Sequence, residues 1–128
     1  SNNMEVGSTS PIRDFTYVDD TVSGFIKAAQ HENISGDLIN IGNSKGISIK
    51  ELIYKCAEIL EIENINVIVS KERNRPEKSE VFNLICDNTS AKDKISWSPS
   101  VSLTEGLERT IHFIKKYQDF YKIGKYEI

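Results

Sequence analysis

The sequence predicts an α/β fold, about three main helices packed on a few short strands, and two observations carry that prediction. Stretches with apolar residues at i, i+3, i+4 and i+7 alternate with short β-branched runs. Each change of period is marked by Gly, Pro or a Ser-x-x-Glu sequence. With 128 residues, 38% hydrophobic and 27% charged, the chain can bury one core, so a single domain over 5–128 is expected. The opening Ser1-Asn2-Asn3-Met4 reads as a cloning remnant followed by a start Met and is set aside from the fold.

Asp14-Phe15-Thr16-Tyr17-Val18 is aromatic and β-branched and follows Ser10-Pro11, which predicts a strand or extended segment. Asp19 and Asp20 then cap a helix in which Val22, Phe25, Ile26 and Ala29 share one face. A turn around Gly36 leads into Leu38-Ile39-Asn40-Ile41, predicted as a buried strand that Gly42-Asn43-Ser44 closes. Ser48-Ile49-Lys50-Glu51 has the form of a capping box, in which each side chain satisfies the other residue's free backbone N–H. The helix it opens aligns Ile49, Leu52, Ile53, Cys56, Ile59 and Leu60 in one stripe.

Ile65 to Val69 is a predicted strand, Ser70 to Glu80 a polar loop, and Val81 to Cys86 fits either a strand or an extended connection. Asp87-Asn88-Thr89-Ser90 is rich in N-cap residues and precedes a short helix with Ala91 and Ile95 on its buried edge. Trp97, just before Pro99, is expected to anchor the core with one partner for its indole N–H. A second box, Ser102-Leu103-Thr104-Glu105, opens the last helix, with Leu107, Ile111, Ile114 and Tyr117 down one face. The aromatic and Lys-bearing stretch from Asp119 to Ile128 is expected to fray or to dock through a few rings.

Composition excludes several functions. A formal charge of −3 without a Lys/Arg block argues against sequence-independent nucleic-acid binding, which needs many cations against phosphates. No apolar run approaches the roughly 20 residues that cross a bilayer, and the N-terminus lacks a secretion-signal pattern, so no membrane partner and a cytoplasmic location are expected. Cys56 and Cys86 are too few and too far apart for a disulfide framework or a zinc site and read as small core fillers. His31 and His112 have no partner at ligand spacing, so no metal is expected.

Two places suit an anion. Lys71-Glu72-Arg73-Asn74-Arg75-Pro76-Glu77-Lys78 is a loop whose Pro76 biases Arg75 to an extended backbone, and an Arg fork meets a phosphate with two parallel bonds. A solvated charged loop fits the same residues. Arg13 precedes an aromatic run whose alternation would set Arg13, Phe15 and Tyr17 on one side, able to hold a phosphate and stack on a base. A surface cation beside core aromatics fits equally well.

In order along the chain, the motifs resemble a known family. Arg13-Asp14-Phe15-Thr16-Tyr17-Val18-Asp19-Asp20 is similar to the Arg-Asp-(aromatic)-x-(His/Tyr)-Val-x-Asp signature of the extended short-chain dehydrogenase/reductase superfamily. Leu38-Ile39-Asn40-Ile41-Gly42, Ser48 to Ile53 and Arg75-Pro76 resemble its Asn-(Ile/Val)-Gly strand, the following helix and its Arg-Pro phosphate loop. Asp87 to Lys92 with Trp97-Ser98-Pro99, and Ser102 to Leu107 with its Glu-Gly-Leu, resemble the closing motifs. Any one piece is weak, while the ordered set spans Arg13 to Tyr117.

The resemblance implies the C-terminal, substrate-binding portion of such an enzyme, an NAD-dependent sugar-nucleotide epimerase or dehydratase, with most of the Rossmann domain absent. It assigns Arg13, Phe15 and Arg75 to the nucleotide of a nucleotide-sugar substrate. The spelling Arg75-Pro76-Glu77-Lys78-Ser79-Glu80-Val81 with Cys86-Asp87-Asn88 looks most like 4,6-dehydratases that act on N-acetylhexosamine nucleotides for bacterial surface polysaccharides. NAD(P) belongs to the parent enzyme. The Gly-x-x-Gly-x-x-Gly loop that holds it does not occur here, so none is expected on this chain. No catalytic residue is assigned, since Tyr121 to Lys125 is the one Tyr-x-x-x-Lys and follows the last family helix. Parted from a Rossmann half, the strand Leu38 to Ile41 would expose an unpaired edge, and self-association is expected. A non-catalytic nucleotide-sugar module and a structural interaction domain are the rival readings.

Overall fold

The computed structural model describes residues 2–70 and 81–121. In chain order they form β1 (Asn3–Val6), β2 (Ile12–Asp14), α1 (Val18–Gln30), β3 (Gly46–Ser48), α2 (Ile49–Ile59), β4 (Asn66–Val69), β5 (Asn83–Leu84), α3 (Thr89–Ile95) and α4 (Leu103–Lys116), then a 3₁₀ turn at Gln118–Phe120. The class is α/β, as predicted. β1 and β4 pair in parallel, and β2 lies between antiparallel β3 and parallel β5. The residues set aside at the N-terminus take part in this pairing. Asn3 and Met4 align with Asn66 and Val67, and Asn2 donates to the carbonyl of Glu63 at 2.7 Å.

α2 forms as its sequence dictates. Ser48 Oγ accepts the Glu51 N–H at 3.2 Å while the Glu51 carboxylate accepts the Ser48 N–H at 3.0 Å, completing the box. The next free donors, Ile49 and Lys50 N–H, reach the carbonyls of Pro11 and Thr9, which ties the helix start to the segment before β2. Ile53 and Ala57 are buried and Cys56 is half-buried. Burial raises the Cys56 thiol above its ordinary range, which suits a core filler rather than a nucleophile. In α4 the second box is half made. Ser102 Oγ accepts the Glu105 N–H at 3.2 Å, but the Glu105 carboxylate turns to Arg109 one turn on.

α1 departs from expectation in direction. The helix is there, but the face carrying Val22, Phe25, Ile26 and Ala29 is exposed, and Asp20 and Gly24 are the buried residues. Its N-cap is Tyr17, without a side-chain cap, so Asp19 and Asp20 are not caps. Asp20 instead points across the molecule. Its carboxylate accepts Ser100 N–H at 2.9 Å, Ser100 Oγ at 2.7 Å and Val101 N–H at 2.9 Å. Trp97, 1% exposed, seals the same junction and donates its indole N–H to two acceptors, Asp20 O at 3.1 Å and Ser23 Oγ at 2.9 Å, where one was expected. Around Trp97 pack Ala91, Ile95, Ala28, Ile34, Ile39 and Ile41.

Leu38 to Ile41 is not a strand. No strand among the described residues lies alongside it, so Ile39 and Ile41 turn into the core while Leu38 is 82% exposed. β3, which follows, is three residues long and paired with β2, too short to show a period in the sequence.

Candidate functional site

Arg13 sits on the central strand β2, in register with Ile47 of β3 and Leu84 of β5. That pairing fixes its backbone from both sides. Its guanidinium is half-buried and donates to the carbonyl of Ile12 at 2.8 Å and, more distantly, to that of Phe82 at 3.5 Å. Arg13 lines a hollow of about 710 Å³ together with Gly24, Ile41, Gly42, Cys86 and Asp87. A volume in this range suits a ligand of nucleotide size.

Phe15 does not line that hollow. It stands between two others, one of about 480 Å³ shared with Tyr17, Leu107 and Phe113, the other of about 390 Å³ shared with Lys45, Glu51 and Lys55. The expected alternation of Arg13, Phe15 and Tyr17 on one side therefore fails. It fails because β2 stops at Asp14, whose carboxylate accepts the N–H groups of Asn43 at 3.0 Å, Ser44 at 2.8 Å and Cys86 at 3.2 Å. Beyond this clamp the chain turns into α1 through Tyr17. Arg75 and the whole of 71–80 lie outside the described residues, as does Lys125.

Sequence reasoning missed how the motifs close on one another. Asp14 draws the Gly42-Asn43-Ser44 and Cys86-Asp87 segments together, and a Cβ at Gly42 would meet Cys86 Cβ at 2.3 Å, so only glycine fits. Asp20 holds the segment after Trp97-Ser98-Pro99. The Tyr17 ring packs on Gly106, where a Cβ would lie 3.3 Å from it, and Arg109 covers that ring at 5.4 Å while pairing with Asp19 at 3.6 Å. The partners are up to 81 positions apart, so no local pattern announces them.

The charges follow these contacts. Burial raises the Asp20 carboxyl, but the Ser100 and Val101 N–H groups, the Ser100 hydroxyl and the Arg109 charge outweigh it and hold the group below its ordinary value. Burial, and then the Asp14 and Asp87 carboxylates, push the Cys86 thiol up, away from reactivity. The Thr89 hydroxyl and N–H hold Asp87 low, at 2.6 and 3.0 Å. Among the described residues no three His, Cys, Asp or Glu side chains gather as a metal site. No described helix is long and apolar enough to cross a membrane.

Comparison with known proteins identifies the family. The family described as GDP-mannose 4,6 dehydratase matches residues 1–110. A UDP-glucuronate 4-epimerase of Thermodesulfobacterium geofontis is 35% identical over 111 residues, 86% of this chain and 32% of that protein. A UDP-N-acetyl-alpha-D-glucosaminuronate decarboxylase of Bacillus cytotoxicus is 32% identical over 114 residues, 88% of this chain and 35% of that protein. The solved UDP-glucuronic acid 4-epimerase of Bacillus cereus, in complex with UDP-glucuronic acid and NAD, superposes with a TM-score of 0.75 at 32% identity, covering 89% of this chain and 35% of that one. The chain thus spans about a third of the length of these relatives. Its α/β fold, its ordered motifs and the match over 1–110 place it in the GDP-mannose 4,6 dehydratase family of extended short-chain dehydrogenases/reductases, to which this chain belongs.

Proposed function

We propose that this chain is the nucleotide-sugar-gripping part of an NAD-dependent sugar-nucleotide epimerase or dehydratase, and that Arg13 holds the substrate diphosphate. One observation carries the reading. Arg13 is fixed on the middle strand of a sheet beside a hollow of about 710 Å³ whose other walls are mostly apolar apart from Asp14 and Asp87. Those carboxylates are already engaged by the N–H groups of Asn43, Ser44 and Cys86 and by Thr89, which leaves one cation for phosphate and surface for a base or sugar. Arg75 is the second cation of this reading. Phe15, on the far side of the Asp14 clamp, borders the nucleotide from a neighbouring hollow.

The chemistry belongs to the rest of the parent enzyme. NAD there would accept hydride from the sugar, and this chain contributes binding and orientation of the substrate. No catalytic group is assigned to it, and the chain alone is inactive. The substrate class is a nucleoside diphosphate sugar, the reaction 4-epimerisation or 4,6-dehydration, with the spelling after Arg75 favouring 4,6-dehydration on N-acetylhexosamine nucleotides for cytoplasmic synthesis of surface-polysaccharide precursors.

Calorimetric titration with UDP-glucuronate and GDP-mannose tests the grip. Arg13→Ala and Arg75→Ala should each weaken binding by about 10- to 100-fold, the loss of a charge-assisted pair of about 1.5–3 kcal/mol. Saturable binding by the 128-residue chain alone favours a self-sufficient module. Binding only when the chain is joined to a Rossmann half favours the shared site, and unchanged affinity in both variants removes both arginines from it. The exposed apolar face of α1 favours the interaction-domain reading in one respect, that something must cover it.

A further inference from the structure

Between the starts of α2 and α4 lies a cleft of about 390 Å³ that shares no lining residue with the hollow beside Arg13. Its volume falls in the lower range of small-molecule sites. Lys45 lines it from the loop whose Asn43 and Ser44 N–H groups Asp14 holds, Lys55 from α2, and Ser102 and Thr104 from the start of α4. Among the described residues neither lysine has a carboxylate within ion-pair distance. Lys55 would ordinarily find one, because Glu51 stands one turn before it in the Glu-to-Lys order that favours such pairs. The capping box takes Glu51 instead, whose carboxylate accepts Ser48 N–H at 3.0 Å and Ser48 Oγ at 2.6 Å. Lys55 is left half-buried beside a neutral partner, Thr104 Oγ1 at 3.5 Å. A cation drawn partly out of water without a counter-charge carries a cost that an anion in the cleft would offset.

We propose that this cleft binds a phosphate group between the Lys45 and Lys55 ammonium groups, a second anion site separate from the one at Arg13. The two lysines outweigh Glu51, so the lining is net positive in a chain whose formal charge is −3. The hydroxyls suit a ligand rich in acceptors. Ser102 Oγ accepts the Glu105 N–H and keeps its own proton to donate. Phe15, Ile47 and Leu103 add apolar surface, so the phosphate is either free or carried by a small sugar. The inference stands apart from the nucleotide-sugar reading, because neither lysine takes part in it.

Calorimetric titration of the 128-residue chain with inorganic phosphate and with glucose 1-phosphate tests the site. Lys45→Ala and Lys55→Ala should each weaken binding by about 3- to 10-fold, and the double variant should show no saturable binding. Arg13→Ala should leave the affinity unchanged, so a failure of the Arg13 reading does not touch this one. Lys50→Ala, on the same helix but outside the cleft, should also bind as the wild type does. A loss in Arg13→Ala with none in the Lys45 and Lys55 variants overturns the proposal. So does a loss in Lys50→Ala equal to theirs, which would mean diffuse attraction, and so does the absence of saturation below about 10 mM in the wild type. Tighter binding of glucose 1-phosphate than of phosphate identifies a carried phosphate, and equal affinity a free one. Amide NMR shifts in the same titration locate the ligand without any substitution. Shifts centred on Lys45, Lys55 and Thr104 support the cleft, and shifts centred on Arg13 and Leu84 overturn it.

Discussion

α1 and α2 are both amphipathic by sequence, yet they use that property in opposite ways. α2 turns its apolar stripe inward, burying Ile53 and Ala57 and leaving Glu51 and Glu58 in water. α1 turns its stripe outward and buries Asp20 and Gly24 instead. The comparison teaches that an apolar period specifies a helix and a face without specifying what lies against that face. For α2 the cover is in the same 128 residues. For α1 no described residue covers it, and the helix is held from its polar side by one carboxylate.

The sharpest way to break this contrast is to truncate the two faces in the isolated chain. Ile53→Ala should cost about 2–5 kcal/mol, the loss of buried methyl groups plus the cavity they leave. Phe25→Ala, the removal of a larger side chain, should change stability by less than about 0.5 kcal/mol, because 69% of that residue already lies in water. Urea unfolding of both variants measures the difference directly. Comparable losses would mean that the α1 face is covered in solution, and would erase the distinction drawn between the helices.

Next in size is the anchor of α1 itself. Asp20→Ala removes the acceptor of three hydrogen bonds and leaves the Ser100 and Val101 N–H groups without it, at an expected cost of about 2–3 kcal/mol. The same group sets a pH dependence. Its folded pKa lies below the reference value of 3.8, so its stabilisation is complete above that value and disappears as pH falls through the lower, folded pKa. Urea midpoints measured from pH 6 down to pH 2.5 should fall steeply below about pH 4 in the wild type. In Asp20→Asn that part of the slope should be missing. An identical slope in the variant would assign the acid sensitivity to other carboxylates.

These contrasts also mark what the sequence could and could not say. α2, with its box and stripe, was legible because cap and core spacing are local, and the same holds for the buried edge of α3 at Ala91 and Ile95. The existence of α1 was legible, while its orientation was not, since Asp20 finds its partners 80 and 81 positions away. Leu38 to Ile41 carried the composition of a strand but lacks a neighbour among the described residues, and composition cannot supply one. At the candidate site, Arg13 is singled out by resemblance, and the structure places it among the residues lining a hollow. Its assumed companionship with Phe15 and Tyr17 rested on an alternation that Asp14 interrupts. Asp14 itself looked like any acidic residue beside a strand, and only folding shows that it gathers three backbone N–H groups.

The smallest test concerns how each helix begins. α2 starts with a reciprocal box, so Ser48→Ala should cost about 1 kcal/mol, within the range of lost N-caps. Glu51 is fully dependent on that serine for its lowered pKa, through the Ser48 hydroxyl and then the Ser48 N–H, so the variant should also move the Glu51 carboxyl back toward 4.5, which a carboxyl-detected NMR titration follows. α1 has no such device, because the side chain of its N-cap Tyr17 makes no bond to the helix's own N–H groups; its ring packs against Gly106 and its hydroxyl bonds to Arg109. Tyr17→Phe keeps that packing and removes only the hydroxyl, so it should leave the start of α1 intact and change stability by no more than about 0.5 kcal/mol. A loss at Tyr17→Phe equal to that at Ser48→Ala would show that the two helices start alike after all. The expected inequality instead puts the fixation of α1 on Asp20, a residue inside its first turn that reaches out of the helix, where α2 relies on residues that reach back into it.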